Sequence, residues 1–438
     1  MKRSSLILVV TIILLLSLSA CDSLPFDLPW LESNQPTATM SPDDPGDTTP
    51  TPEITAVVTP TPEEVTRLVI WVPPEMDPEL ETPAAELFTE KLQSYSVLND
   101  DIEIIVRVKA ASGAGGLLDA LTATSSAAPN ALPDLIALSR EDLESAALKG
   151  LVYSMDGLTD LADSGDWFGY AREMALLQGS TYGLPFAGDA LALVYLPESL
   201  SEFPASWTDL LASDAVVAFP GQSNQALFQL SLYEGEGGVI QDNQRRPILE
   251  LDPLTEVFYL IQDGVTEGTF VEDYNQYQTL TQVWTAFRDG QTDVALVWAS
   301  DYLQDDTSIL ADLTPLLPMS GGSVSIGDGM SWALASPDEN RQAMAVDLAE
   351  YLLDPAFLAE WTSMIGYMPT RSSALEAWED QDLRGTVSQI SLMTRLRPSN
   401  DILSSLGPIL QTQTQQILQS LIDPAQAAQA ALESLEDQ

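Results

Sequence analysis

The chain has 438 residues, a length that suits two or three domains and a sizeable core, and carries 17 Lys+Arg against 65 Asp+Glu for a formal net charge of −48. A field of that sign repels phosphate backbones and argues against a nucleic-acid partner. With a single cysteine, Cys21, and no histidine, an intrachain disulfide, a Cys/His metal site, a Cys–His dyad and a Ser–His–Asp triad are all excluded. Chemistry that uses carboxylates alone, such as glycoside hydrolysis, stays open. No metal and no cofactor is expected.

Residues 1–20 read as a signal peptide: Lys2 and Arg3, an apolar run from Leu6 to Leu16, then small residues. The run ends Leu18-Ser19-Ala20-Cys21, which resembles a bacterial lipobox. That resemblance implies a diacylglycerol on Cys21 and stable anchoring to the outer leaflet. Residues 21–65 are rich in Pro, Thr, Ser and acids, with Thr49-Pro-Thr-Pro52 and Thr59-Pro-Thr-Pro62, and predict an extended tether that holds a folded body off the membrane.

Order is predicted from Arg67-Leu-Val-Ile-Trp-Val72, a buried-strand run closed by Pro73-Pro74. A helix with Ala84, Leu87, Phe88 and Leu92 follows, then a strand over 102–108, a helix over 115–121, a strand over 133–138 and a short helix over 141–149. Gly113, Gly115 and Gly116 read as a turn, because no Lys-Ser/Thr follows them as a phosphate cradle requires. Alternating strands and helices imply a parallel sheet covered on both faces. The next stretch, residues 182–195, combines a turn (Gly183, Pro185), Asp189 beside Gly188, and an unbroken apolar run from Ala190 to Leu196, a buried strand of about 6 to 7 residues. A capped helix is predicted after Pro204-Ala-Ser206. Further on come a strand over 215–219, helices over 222–233 and 279–288, a strand into Trp298, and helices over the last 100 or so residues, ending with one over 425–435.

In order along the chain, Leu68–Val72, Leu132-Pro-Asp-Leu-Ile136, Tyr182-Gly-Leu-Pro185 into Leu191-Ala-Leu-Val-Tyr195, Phe203-Pro-Ala-Ser-Trp207, Phe287-Arg-Asp-Gly290 into Val294-Ala-Leu-Val-Trp298, Gly321-Gly322 through Ser336, the 340–353 helix with Asp354-Pro355, and Gly366-Tyr-Met-Pro-Thr-Arg371 resemble the extracellular solute-binding proteins of ABC importers, carbohydrate-type family 1. The resemblance spans about residues 66–435. It implies a periplasmic-binding-protein-like α/β fold, two α/β lobes joined by crossing hinge strands with a ligand cleft between them. Lobe 1 is expected over 66–190 plus 302–334, and lobe 2 over 194–298 plus 338–438.

Ligands of open α/β sheets sit beyond the carboxyl ends of strands. A sugar needs aromatic faces and planar polar groups. The cleft candidates are therefore Trp71, Ser139, Arg140, Asp328 and Trp332 from the first lobe. From the second come Asn224, Trp298, Tyr302, Tyr367 and Arg371. At the crossing stands Asp189, which aligns with an acidic ligand-contacting position of the family. Trp71 and Trp298 sit inside apolar runs that fit a core position equally well. Trp284, at helical spacing between Leu280 and Arg288, reads as packing, and Asp305-Asp306 as a solvated loop.

The resemblance implies a monomeric, lipid-anchored, extracytoplasmic binding protein, not an enzyme. It would capture a small solute, a sugar or oligosaccharide, by hinge closure and deliver it to permease subunits. A sensor of the same fold and a tethered carboxylate-dependent glycosidase are the alternatives. The negative field favours neutral or cationic ligands over anions.

Overall fold

The structure, a computed structural model, describes residues 65–271, 273, 275–305 and 310–437. The signal peptide, Cys21 and the tether lie outside them. The elements are β1 (Thr66–Val72), α1 (Pro83–Leu98), β2 (Ile102–Val108), α2 (Leu117–Ala127), β3 (Leu135–Ser139), α3 (Arg140–Leu148), α4 (Gly169–Ala175), β4 (Gly183–Tyr195), α5 (Trp207–Leu211), β5 (Val217–Ala218), α6 (Leu227–Gly235) and α7 (Leu251–Glu267). They continue as α8 (Leu280–Arg288), β6 (Val294–Trp298), α9 (Ala299–Leu303), β7 (Asp312–Thr314), β8 (Ser325–Leu334), α10 (Glu339–Leu352), α11 (Pro355–Ile365), α12 (Ser372–Glu376), α13 (Gln381–Met393), β9 (Thr394–Leu396), α14 (Asn400–Leu418) and α15 (Pro424–Glu436).

The strands form one nine-stranded sheet, β2-β1-β3-β8-β4-β6-β5, with β9 paired to β8 and β7 to β4. Strands β1, β2 and β3 are mutually parallel, as are β5 and β6. The central pair β8 and β4 is antiparallel, and so is each one's contact with its outer neighbour. The sheet is thus two parallel α/β halves joined by two antiparallel strands.

Period-two alternation sorts the side chains into three cores. On β4, Ala190, Ala192 and Val194 join a cluster shared by both halves, while Leu191 and Leu193 join a second with α5, α6, α7, α14 and α15. On β3, Leu135 and Ala137 join the shared cluster, while Ile136 and Leu138 join a third with Leu117, Leu121 and Leu143. One face of the sheet is therefore continuous. The other carries a separate core on each lobe, and between those two cores lies the seam.

Several elements differ from the sequence expectation. Strand β4 runs 13 residues, starting at Gly183. The predicted turn is instead a register shift: Ala187 stands opposite Met330 and Pro185 opposite Ser331, which leaves Phe186 as the extra residue beside a proline with no N–H to give the ladder. The helix predicted from 222 starts at Leu227, after Ala226 in the left-handed region (φ 48°). Caps at Ser206, Thr279 and Asp354 stand where their types predict, each side-chain oxygen accepting an N–H of the first turn.

Two contacts run across the expected lobes. Helices α10 and α11, expected with lobe 2, pack against α1 and β1, where Phe88 stacks on Trp361 with ring centroids 5.4 Å apart. Strand β7, expected with lobe 1, pairs with Leu193–Tyr195 at the other end of β4, and Leu316 and Leu317 join the second-lobe core.

Candidate functional site

The seam is built from three elements. Helix α3 begins where β3 ends, capped by Ser139, whose hydroxyl accepts the Asp142 N–H at 3.2 Å. This projects Arg140, Glu141 and Glu144 from the first turns. Strand β8 brings Asp328 from the middle of the sheet. The link from β9 to α14 brings Arg397 and Asn400 from the second lobe, and the Arg397 N–H donates to the Gly327 carbonyl at 2.8 Å.

Arg397 Nη1 lies 3.0 Å from Glu141 Oε2 and 3.4 Å from Asp328 Oδ2. The Asn400 N–H, at the start of α14, donates to both Glu144 carboxylate oxygens at 3.3 Å, and Asn400 Nδ2 donates to the Glu141 carbonyl at 3.3 Å. Arg140 Nη1 donates at 3.2 Å to the carbonyls of Met174 and Leu176 at the end of α4. Arg140, Glu144 and Arg397 are all buried, and Arg397 Nε is buried with no hydrogen-bond partner among the described residues. Burial raises the Glu144 and Asp328 carboxyls above their ordinary range, against the pull of the neighbouring arginines and of backbone N–H donors.

A second cluster sits at the hinge itself. Asp189 is buried on β4 and accepts from the Ser300 N–H at 3.0 Å, the Ser300 hydroxyl at 2.5 Å and the Ala190 N–H at 2.9 Å. It ties β4 to the first turn of α9. Burial pushes its carboxyl up to about 7, although all three hydrogen bonds favour the charged form. Burial raises the hydroxyls of the buried Tyr170 and the half-buried Tyr367, and the charge of Asp189 raises them further. Gly188 is obligatory here, since a Cβ would stand 2.0 Å from the Tyr170 hydroxyl. The backbone at Gly188 exchanges two hydrogen bonds with Met368, of 2.7 and 2.9 Å.

The residues singled out in the sequence therefore divide. Ser139, Arg140 and Asp328 meet at the seam. Asp189 and Tyr367 meet at the hinge, and Tyr302 lies on the helix that Asp189 holds, its hydroxyl 3.3 Å from the Ala311 carbonyl. Trp298 packs, half-buried, against the second-lobe core. Four residues are not brought together with either cluster. Trp71 and Trp332 are core residues, 2% and 1% exposed: the Lys109 ammonium lies 5.0 Å from the Trp71 ring centroid and Phe186 packs 4.8 Å from Trp332. Both sit on strands sandwiched between two cores, so an aromatic there is buried whichever way it points. Asn224 is exposed in the turn before α6, its carbonyl lying where a side chain at Gly407 would stand. Arg371 is consumed by Asp166 at 2.7 Å and the Leu353 carbonyl at 2.8 Å, and it borders an open groove of about 720 Å³ between Gly157–Leu161 and the α10–α11 turn, which none of the seam residues line. Sequence reasoning missed Glu141, Glu144, Arg397 and Asn400. The available signal was Arg395-Leu-Arg397, two arginines within three residues in a chain with 17 basic residues in all.

Two α/β lobes on a shared sheet, with polar side chains of both facing across the seam, define a periplasmic-binding-type protein. The family model of bacterial extracellular solute-binding proteins matches residues 85–384, and the chain belongs to that family. Among solved structures it is similar to the cyclic α-maltosyl-1,6-maltose binding protein of Arthrobacter globiformis, at 16% identity and a TM-score of 0.70, covering 85% of this chain and 98% of that one. It is similar to the sugar-binding protein MalE of Xanthomonas citri at 18% identity and a TM-score of 0.68, covering 85% and 97%. A solute-binding protein of Thermotoga lettingae bound to α-D-tagatose gives 18% and 0.63, covering 85% and 99%. No curated relative matches the chain by sequence.

Proposed function

We propose that the protein is a lipid-anchored, extracytoplasmic binding protein that captures a saccharide in the seam and delivers it to the permease of an ABC importer. The observation that carries the reading is the donor–acceptor set spanning the two lobes: Arg397 and Asn400 on one side, Arg140, Glu141 and Glu144 on the other, with Asp328 between them. A ligand that bonds to both sides gains contacts only when the lobes are together, which is the differential affinity that closure requires. Charged side chains with forked donors and paired acceptors suit vicinal hydroxyls. The sugar-binding neighbours of the same fold support this class of ligand. The protein's role is binding, not catalysis. Lobe 1 comprises β1–β3, α1–α4, the later part of β8 and α10–α12; lobe 2 comprises α5–α8, β5–β7, β9, α14 and α15.

The test is a thermal-shift screen followed by calorimetry against maltose, maltotetraose, tagatose, ribitol, an amine, a peptide and phosphate. Stabilisation by one of the saccharides or polyols supports the reading; stabilisation by the amine, peptide or anion alone sinks it. Lipid anchoring is tested by Cys21→Ser, which should move the protein from the membrane fraction to the soluble fraction.

A further inference from the structure

We infer that Arg397 and the first turn of α14 form a subsite for ligand oxygens, and that Glu141 and Glu144 occupy it as an internal competitor. The inference rests on the reading of the seam as the saccharide site and deepens it.

Helix α14 is 19 residues long, and its N-cap, Ser399, makes no side-chain capping hydrogen bond. Its Asn400 N–H is met by the Glu144 carboxylate, which arrives from the other lobe. A carboxylate is a favourable partner for a helix N-terminus, where the unpaired N–H groups and the helix dipole both attract negative oxygen. Two residues before the N-cap, Arg397 is 6% exposed and its Nη1 is engaged by Glu141, again from the other lobe. Its Nε has no partner among the described residues. A buried guanidinium with a donor left over is incompletely satisfied, which costs free energy unless another acceptor reaches it. The protein's own oxygens thus use part of this donor set and leave part idle.

Saccharide hydroxyls are the complementary chemistry. They can accept from Arg397 Nε and Nη1 and from the α14 N–H groups, while their own protons satisfy Asp328 and the displaced carboxylates. Until then, the Glu141 and Glu144 contacts hold the lobes together and must be broken for a ligand to enter. Two opposite effects follow. Removing the carboxylate charges should loosen the ligand-free seam and favour binding; removing Arg397 should loosen it and weaken binding.

The experiment uses the full chain with Cys21→Ser, spin-labelled at Leu148→Cys on α3 and Leu421→Cys beyond α14, two positions 67% and 70% exposed. Electron–electron resonance gives the distance between the lobes without ligand, and calorimetry gives affinity for the panel above. In the Glu141→Gln/Glu144→Gln double variant the distance should lengthen and affinity should rise several-fold. Arg397→Ala should also lengthen the distance but lower affinity by on the order of tenfold, the worth of one charged hydrogen bond. Arg397→Lys keeps the charge and guards against misfolding of the alanine variant; it should weaken binding too, since a lysine cannot present the guanidinium fork. An unchanged distance in the double variant, or affinity unchanged or lowered there, overturns the inference. If the wild-type protein binds none of the panel, the saccharide reading fails, and the distance comparison alone decides whether the carboxylates hold the seam.

Discussion

The same pairing, a carboxylate with an arginine, is used in two ways in this molecule. Inside the first lobe, Asp134 is 1% exposed and accepts from the Val69 N–H at 2.7 Å and from Arg341 Nε at 2.7 Å, with a further contact to Arg341 Nη2. That set is closed: it joins the start of β3 to β1 and α10, and both carboxylate oxygens are used. At the seam, Arg397 is also buried, 6% exposed, but meets its carboxylates from other elements at 3.0 and 3.4 Å and has no partner for Nε among the described residues. Full satisfaction marks a joint meant to stay shut, and partial satisfaction marks a surface that exchanges partners.

The comparison breaks first at Asp134. Asp134→Ala leaves the Val69 N–H and the partly exposed Arg341 guanidinium without their carboxylate and should cost about 1–3 kcal/mol, read as a fall in denaturant midpoint. A loss under about 1 kcal/mol would mean that the joint behaves like a surface pair. Next is Gly407→Ala, whose Cβ would stand 2.0 Å from the Asn224 carbonyl. Overpacking of α14 against that turn should cost about 1–3 kcal/mol, and equilibrium unfolding with an unchanged melting temperature would refute the close approach. Glu141→Gln, at a side chain 53% exposed, should change stability by less than about 1 kcal/mol, in contrast with Asp134→Ala.

The hinge adds a pH dependence. The Asp189 carboxyl, at about 7 in the folded chain against 3.8 when unperturbed, binds its proton more tightly folded than unfolded. Its contribution to stability is therefore fully present below about pH 4 and is lost as pH rises toward and through 7. Asp189→Asn should flatten that part of the stability profile and leave the protein at least as stable as wild type at pH 8. Identical profiles for variant and wild type between pH 5 and 8 would show that Asp189 is not the group responsible.

Much of the fold was legible. Apolar runs bounded by turn formers located β1, β3, β4 and β6, and residue types located the cap at Ser206. These signals are local, so they survive in one dimension. Less of the site was. Asp189 stands at the crossing because Gly188 and the run after it are local signals too. Trp71 and Trp332 misled because a strand buried on both faces has no alternation to show where an aromatic points. Arg397 and Asn400 were missed because their partners on α3 lie 256 residues earlier in the chain. The packing of α10 and α11 was hidden for the same reason: they return to α1 across more than two hundred residues, and nothing in their own amphipathic pattern names the surface they cover.

The central claim, that a saccharide is held between the lobes by residues of both, is tested most directly by hydrogen exchange with the saccharide that most raises the melting temperature. Slowed exchange at the first turns of both α3 and α14, with no change along the groove at Gly157–Leu161, is the predicted result. Protection confined to one lobe, or to that groove, would contradict it.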